Sequence, residues 1–308
     1  MKKLNCSSDL VEKIYKDYTK RYAFLMYISL RKYLSVLGFE GLCICLRRLA
    51  YPNRLLDLEQ LFGLSAQSIS RISRWVVNFI NDNYSYLLRD LHNIEWLNYN
   101  RLQQYAQAIR NKGAPLNNCW GFIDGIARAI CRPSVEQENY FSGHKRFHCV
   151  KYQSIMCPDG IIVHLSTAYP GRRHDAGIFR ETNLHAQLEE CTTFPNGQTF
   201  VLYGDQAYGI RRLLLCPYGN VNLTPEQQLF NIQMSAVRQS VECGFGKVLS
   251  EFAFLDFKKN KKLLLQDINE MYTTGTIFTN CHTCLYGSQT SHYFNMVPPQ
   301  LEQYLTIM

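Results

Sequence analysis

Over residues 1 to about 115, apolar positions recur at intervals of three and four with little Gly or Pro between them, the period of amphipathic helices. Within this stretch the run LFGLSAQSISRISRWVVNFIND predicts a helix-turn-helix over about 57–81. Leu58, Leu61 and Phe62 make an apolar stripe on a short first helix, with Asp57 placed to cap its start. Gly63 supplies the turn. Ser65 is placed to cap a second helix whose inner face is Ile69, Ile72, Val76 and Phe79. The other face carries Gln67, Arg71, Arg74 and Asn78 at i, i+4, i+7 and i+11, side chains suited to reading base edges in a major groove. An amphipathic helix with a solvated polar face has the same pattern.

From about residue 116 the pattern changes to short apolar runs separated by turn residues. Residues 118–124, 127–133, 150–160, 161–169 and 199–205 read as strands, with Cys157-Pro158-Asp159-Gly160 a hairpin turn between the third and fourth. Helical periodicity follows at about 174–190, 224–252 and 264–280. Strands first, then strands alternating with helices, predict an α/β domain on a mixed sheet over 116–286. Residues 287–308, with Pro298-Pro299 and a short amphipathic end, read as a C-terminal tail.

Composition narrows the class. The chain has 308 residues, 46% of them hydrophobic, enough for a real core and unlike disordered, collagen-like or coiled-coil chains. No uncharged apolar run reaches the roughly 18 residues of a membrane span, and the charged start MKKLNCSSDLVEKIYKDY lacks an apolar signal core. Thirty-three Lys and Arg against 25 Asp and Glu give +8, which points toward a polyanionic partner. The 12 cysteines are scattered, many in apolar runs, as reduced intracellular thiols would be. The one tight cluster, Cys281-His282-Thr283-Cys284, lacks the second pair that a zinc site needs.

The candidate chemistry is acidic. Phe122-Ile123-Asp124-Gly125 and Leu202-Tyr203-Gly204-Asp205 each end an apolar strand in a carboxylate, at the rim where α/β sheets bind ligands. Glu242 lies beside the buried stripe Val237, Val241, Phe245, Val248 and Phe252 of a late helix, a border from which it can reach that rim. Gly244 and Gly246 in that helix each cost about 1 kcal/mol against Ala and make sense where something must approach closely. Three converging carboxylates repel one another unless a cation neutralises them, and Mg²⁺ or Mn²⁺ fits such hard oxygen donors. Two such ions serve in-line phosphodiester displacement. Asp-Gly is also a common turn dipeptide, so neither aspartate carries this reading alone. Basic residues accompany the acids: Arg132, Lys145, Arg146 and Lys151 in one segment, and Lys247, Lys258, Lys259, Lys261 and Lys262 in another. Such residues contact phosphates or simply form solvated faces. No G-x-G-x-x-G, P-loop or G-x-S-x-G occurs.

The ordered motifs FIDG (122–125), GRRHDAGIF (171–179), LYGDQAYG (202–209) and VRQSVECGFGKVL (237–249) resemble those of PIF/Harbinger-type transposases and the nucleases derived from them, members of the DDE endonucleases. The resemblance runs from about Leu46 to the C-terminus. It implies a ribonuclease H-like mixed sheet preceded by an all-α helix-turn-helix domain, with Asp124 on the first strand, Asp205 after the fourth and Glu242 on a late helix. These three are then the catalytic and metal-binding triad. Asp175 competes with Asp205 for the second place, and His174 with Asp175 is placed to shape the site from outside it. Ile126 and Val248 depart from the family pattern. The implied activity is cleavage of DNA and joining of 3′-OH ends with divalent metal, in the nucleus. Double-stranded DNA is the implied partner, with room for a Myb-like partner protein and a homo-oligomer. The alternative is a DNA-binding protein whose active site has lapsed.

Overall fold

The computed structural model describes residues 27–29, 35–219, 222–257, 261–263 and 267–306. An antiparallel pair, β1 (Tyr27–Ser29) and β2 (Ser35–Leu37), opens it, so the first 115 residues are not all helical. These strands are three residues each, too short to stand out against helical periodicity averaged over a longer window. Helices α1 (Gly38–Ala50), α2 (Leu55–Phe62), α3 (Ala66–Tyr84) and α4 (Tyr99–Asn111) follow.

The α2–α3 corner forms from local chemistry. The helix α2 starts at Leu55, and Asp57 in its first turn accepts the backbone N–H of Arg54 at 3.2 Å. Gly63 closes α2 in the left-handed region at φ 65°, returning its N–H to the Glu59 carbonyl at 2.8 Å. Ser65 caps α3 by accepting from the Ser68 N–H. Ile69, Ile72 and Val76 are buried as the spacing predicts, and Phe79 is half-buried. Leu61, read as part of the apolar stripe, is instead 59% exposed. The inner face of α3 packs against α1 and against α9 (Ile268–Tyr286) from the far end of the chain. Asn81 locks that contact, donating to the Glu270 carbonyl at 3.0 Å and to Thr274 Oγ1 at 2.9 Å.

One mixed sheet follows. Its central strand β3 (Cys119–Ala129) pairs antiparallel with β5 (Phe147–Met156) on one side and parallel with β8 (Val201–Tyr203) on the other. The strand β5 carries β6 (Ile162–Leu165) and the short β4 (Phe141–Ser142) and β7 (Tyr169–Pro170), while β9 (Leu214–Leu215) extends the parallel side. This mixed sheet is compatible with the ribonuclease H-like domain that the resemblance implies. Cys119–Ile123 is buried at every position, which requires cover on both sheet faces and explains the unbroken apolar run. Asp124-Gly125 does not end a strand: β3 continues through both to Ala129, held by its ladder with β5.

The short helix α5 (Gln137–Tyr140) precedes β4. Helices α6 (Asp175–Glu181) and α7 (Leu184–Thr192) connect β7 to β8. The 27-residue α8 (Pro225–Glu251) starts with Pro225 behind a Thr224–Gln227 capping box. Residues 289–304 are not a tail in the structure. The helices α10 (Gln289–Phe294) and α11 (Leu301–Tyr304) bury Phe294, Leu301 and Tyr304, and Asn280 of α9 donates to the Tyr304 hydroxyl at 2.9 Å. Among the described residues no helix is long and apolar enough to cross a membrane.

The hairpin turn at 157–160 is present, with Gly160 at φ 82°. Its Asp159 is fully buried and answers Arg101 of α4 at 2.8 Å and the Tyr105 hydroxyl, tying turn to helix. A second buried ionisable group, His164 on β6, has no hydrogen-bond partner among the described residues at either ring nitrogen, and burial pulls its pKa down to about 4. The folded chain therefore keeps it neutral while the unfolded chain protonates near 6.5. Stability should fall by about 3 kcal/mol as pH drops from about 6.5 to about 4, since each pKa unit is worth about 1.4 kcal/mol. Denaturant titrations of wild type and His164→Leu across this range check the sign: the substitution should flatten the dependence.

Candidate active site

The parallel ladder between β3 and β8 ends at the pair Phe122–Tyr203. Asp124 and Asp205 each stand two residues beyond it, so both aspartates lie past the same end of that parallel ladder. Asp124 faces Ser154 across the β3–β5 ladder, and its Oδ1 accepts the Gly125 N–H at 2.9 Å. Asp205 caps a short turn at Gln206–Tyr208, accepting the Gln206 N–H at 2.6 Å. Gly204 between them has no room for a Cβ, which would meet Ile123 at 2.7 Å and the Tyr208 ring at 3.1 Å.

Glu242 comes from α8. The stripe Val237, Val241, Phe245, Val248 and Phe252 is buried throughout, which leaves Glu242 at its border with a 55% exposed side chain. Gly244 permits the approach: a Cβ there would strike Met156 Sδ at 2.4 Å, the last residue of β5. Among the described residues no neighbour requires Gly246.

The structure also places Arg238, one turn before Glu242, between the carboxylates. Its Nη2 donates to Asp124 Oδ1 at 3.1 Å and lies 3.9 Å from Glu242 Oε1. Burial is the main influence on Asp124 and pushes its pKa up; Arg238 and the Gly125 N–H oppose this, while the charges of Asp205 and Glu242 add to it. The charges of Asp205 and Glu242 thus both act on Asp124. Among the described residues, however, no three His, Cys, Asp or Glu groups already stand as a metal-ligand set.

Asp175 begins α6, and its carboxylate lies against Gly125, where a Cβ would come within 2.7 Å of it. Lys151 holds it at 3.5 Å while donating to the Arg173 carbonyl at 2.8 Å. Asp205 is among the charges that act on Asp124. His174 is the exposed residue preceding α6 and makes no capping bond from its side chain.

The basic residues divide. Arg132, Lys145 and Arg146 are exposed around α5 and the β4–β5 turn. Arg172 joins them, because its N–H donates to the Asn139 carbonyl of α5 at 2.9 Å and brings the loop before α6 alongside. Lys247 is a correction: it points inward to Thr283 Oγ1 at 2.7 Å, the Gly287 carbonyl at 3.2 Å and Glu251 at 3.5 Å, so it is not on a DNA-facing surface. Lys261, read as part of a charge run, is 3% exposed, and burial pulls its pKa down to about 8. Lys258 and Lys259 lie outside the described residues. Gln67, Arg71, Arg74 and Asn78 are all exposed on α3. Arg74 and Asn78 border a cleft of about 850 Å³ shared with Asp267 and Glu270 of the α9 end, whereas Gln67 and Arg71 do not.

The chain matches the DDE superfamily endonucleases over residues 123–280, a span that begins one residue before Asp124 and includes Asp175, Asp205 and Glu242. The chain belongs to this family. Among similar proteins are the human, bovine and rat proteins named "Putative nuclease HARBI1", at 26%, 25% and 26% identity over 139 residues. That alignment covers 45% of this chain and 38% of each relative. No solved structure matches.

Arg238 lies inside one of the DDE endonuclease motifs, yet the sequence pattern assigns it no role. The i, i+4 spacing of Arg238 and Glu242 is the available signal for Arg238. Because Arg238 opposes the upward push on Asp124, Arg238→Gln should make Asp124 titrate at higher pH than in wild type. Carbon-13 NMR titration of the Asp carboxyls checks this; a downward change would show that Arg238 is not its counter-ion.

Proposed function

We propose that this protein is a metal-dependent DNA endonuclease of the transposase type, which cuts phosphodiester bonds and joins 3′-OH ends. The observation that supports this reading is that Asp205 and Glu242 both act on Asp124 through their charges, with Arg238 between Asp124 and Glu242. The donor type suits Mg²⁺ or Mn²⁺, since all three groups offer hard oxygens. Among the described residues, though, they do not stand as a preformed ligand set, and Arg238 lies between Asp124 and Glu242. Asp124, Asp205 and Glu242 would hold the ions, which when bound activate the attacking oxygen and stabilise the leaving one. Arg238 balances Asp124, and Lys151 restrains Asp175 beside the site.

The surrounding surface suits DNA. Arg132, Lys145, Arg146 and Arg172 would track phosphates, and the exposed face of α3 would dock a second stretch of duplex in helix-turn-helix fashion. Action in the nucleus, a Myb-like partner and a homo-oligomer complete the proposal on the strength of the family resemblance. One observation favours the second reading, a DNA-binding protein with a lapsed site: Arg238 already supplies a positive charge to Asp124 and Glu242.

Cleavage separates the two. The nuclease should cut DNA only with Mg²⁺ or Mn²⁺. Glu242→Gln should abolish cutting and leave DNA affinity level or slightly raised, because it removes a charge needed for metal and none that attracts phosphate. Wild-type protein that binds a pre-cleaved 3′-OH end yet neither nicks nor joins it with either metal supports the lapsed reading. For the α3 surface, replacing Arg71 and Arg74 with Ala should weaken binding and lower the slope of log K against log salt by about 1 for each phosphate no longer neutralised. Fluorescence anisotropy over a salt series reads this, and an unchanged slope would make α2–α3 a purely structural pair.

A further inference from the structure

The hairpin that joins β4 to β5 stands at the margin of the sheet, and β4 pairs with no other strand among the described residues. Its tip, Gly143-His144-Lys145-Arg146, is exposed at every position. The turn is held from within. Ser142 is buried, its carbonyl accepts the Arg146 N–H at 2.7 Å, and its Oγ accepts the Lys145 N–H at 3.3 Å. Closing the turn puts Arg146 at φ 58°, and the segment before it holds Glu136 at φ 52°. Residues other than glycine are disfavoured in this left-handed region, and such positions concentrate where a surface has a task.

At the base of the tip, Phe141 is 41% exposed. Its ring is not loose: it meets the cross-strand His148 ring edge-on, with centroids 5.3 Å apart. Four exposed cations belong to the same surface. Lys145 and Arg146 lie on the tip, Arg132 donates to Gln137 of α5 at 2.7 Å, and the Arg172 N–H donates to the Asn139 carbonyl, two residues before Phe141. Glu136 and Glu138 are the exposed acids of the segment, so the surface is net positive. A single exposed apolar residue needs no explanation. An aromatic ring fixed beside several cations has both parts of a single-strand contact, a face for a base and charges for its phosphates.

We propose that this hairpin takes an unpaired base of DNA, with Phe141 stacking on the base while Arg132, Lys145, Arg146 and Arg172 hold the flanking phosphates. This rests on the nuclease reading above for the identity of the nucleic acid, and narrows its substrate to DNA with a nucleotide out of the stack. In a paired duplex each base is already stacked on its neighbours and offers the ring no face. A bulged or flipped base has lost that stacking and regains it on Phe141. Because His148 already fixes the ring, little freedom is lost on contact.

Fluorescence anisotropy on the full chain tests this, comparing a paired duplex with the same duplex carrying one bulged 2-aminopurine, without divalent metal. Wild type should bind the bulged duplex about 5- to 100-fold more tightly, the range of one base–aromatic stack, and should quench the 2-aminopurine. Phe141→Leu stays apolar but loses the ring. It should abolish both the preference and the quenching, with affinity for the paired duplex within about twofold. Phe141→Trp should keep both. Arg146→Gly, which suits the left-handed backbone, should weaken binding of both duplexes equally and lower the salt slope by about 1. Equal wild-type affinity for the two duplexes, no quenching, or a Phe141→Leu loss common to both would overturn the base contact. So would a preference lost in Phe141→Trp, and wild-type affinity in Arg146→Gly would overturn the phosphate contact. A protein that prefers the bulged duplex yet never nicks DNA with Mg²⁺ or Mn²⁺ ends the nuclease reading and leaves the base contact standing. Binding of neither duplex ends both.

Discussion

Acidic side chains that must act together repel one another, and each loses hydration where it is buried. The structure meets this constraint with a rigid support. The strands β3 and β8 are parallel neighbours buried within the sheet, and Asp124 and Asp205 both lie just past the last pair of their ladder. The helix α8 supplies Glu242 from the flank, fixed by an apolar stripe and by a glycine that lets Met156 touch its backbone. Backbone N–H donors at Gly125 and Gln206 and the guanidinium of Arg238 take up part of the charge. Asp124 and Asp205 can therefore stand past the end of the ladder with part of their charge taken up locally.

The same need for rigidity explains how the amino-terminal helices are attached. Their apolar faces and the sheet contribute to one continuous core, and α3 is bonded to α9 through Asn81. Arg101 and Tyr105 of α4 hold the buried Asp159 of the β5–β6 turn. A buried carboxylate that lost these partners would be strongly destabilising, so the network acts as a specific lock between helices and sheet.

Much of this plan could be read in the sequence. The apolar runs before Asp124 and Asp205, the stripe beside Glu242, and the Gly63–Ser65 corner are all local signals, and the structure places each where its pattern points. Ordered spacing of the four motifs identified the family, which the match over residues 123–280 bears out. Local patterns also misled. Asp-Gly at 124–125 reads as a turn, but pairing with β5 carries the strand straight through it. The last twenty or so residues read as a tail because their short helices have few apolar positions, yet Phe294, Leu301 and Tyr304 are buried by distant partners.

What the chain alone determines is what repeats within a few residues: helix and strand periods, caps, turns, and which acids end apolar runs. Only tertiary structure decided which charges meet. Arg238 reaches Asp124 across 114 positions, and Lys247 turns inward to Thr283 across 36. Burial and charge pairing depend on groups brought together from remote segments. The period of a helix or strand records which face is apolar but not what that face will meet.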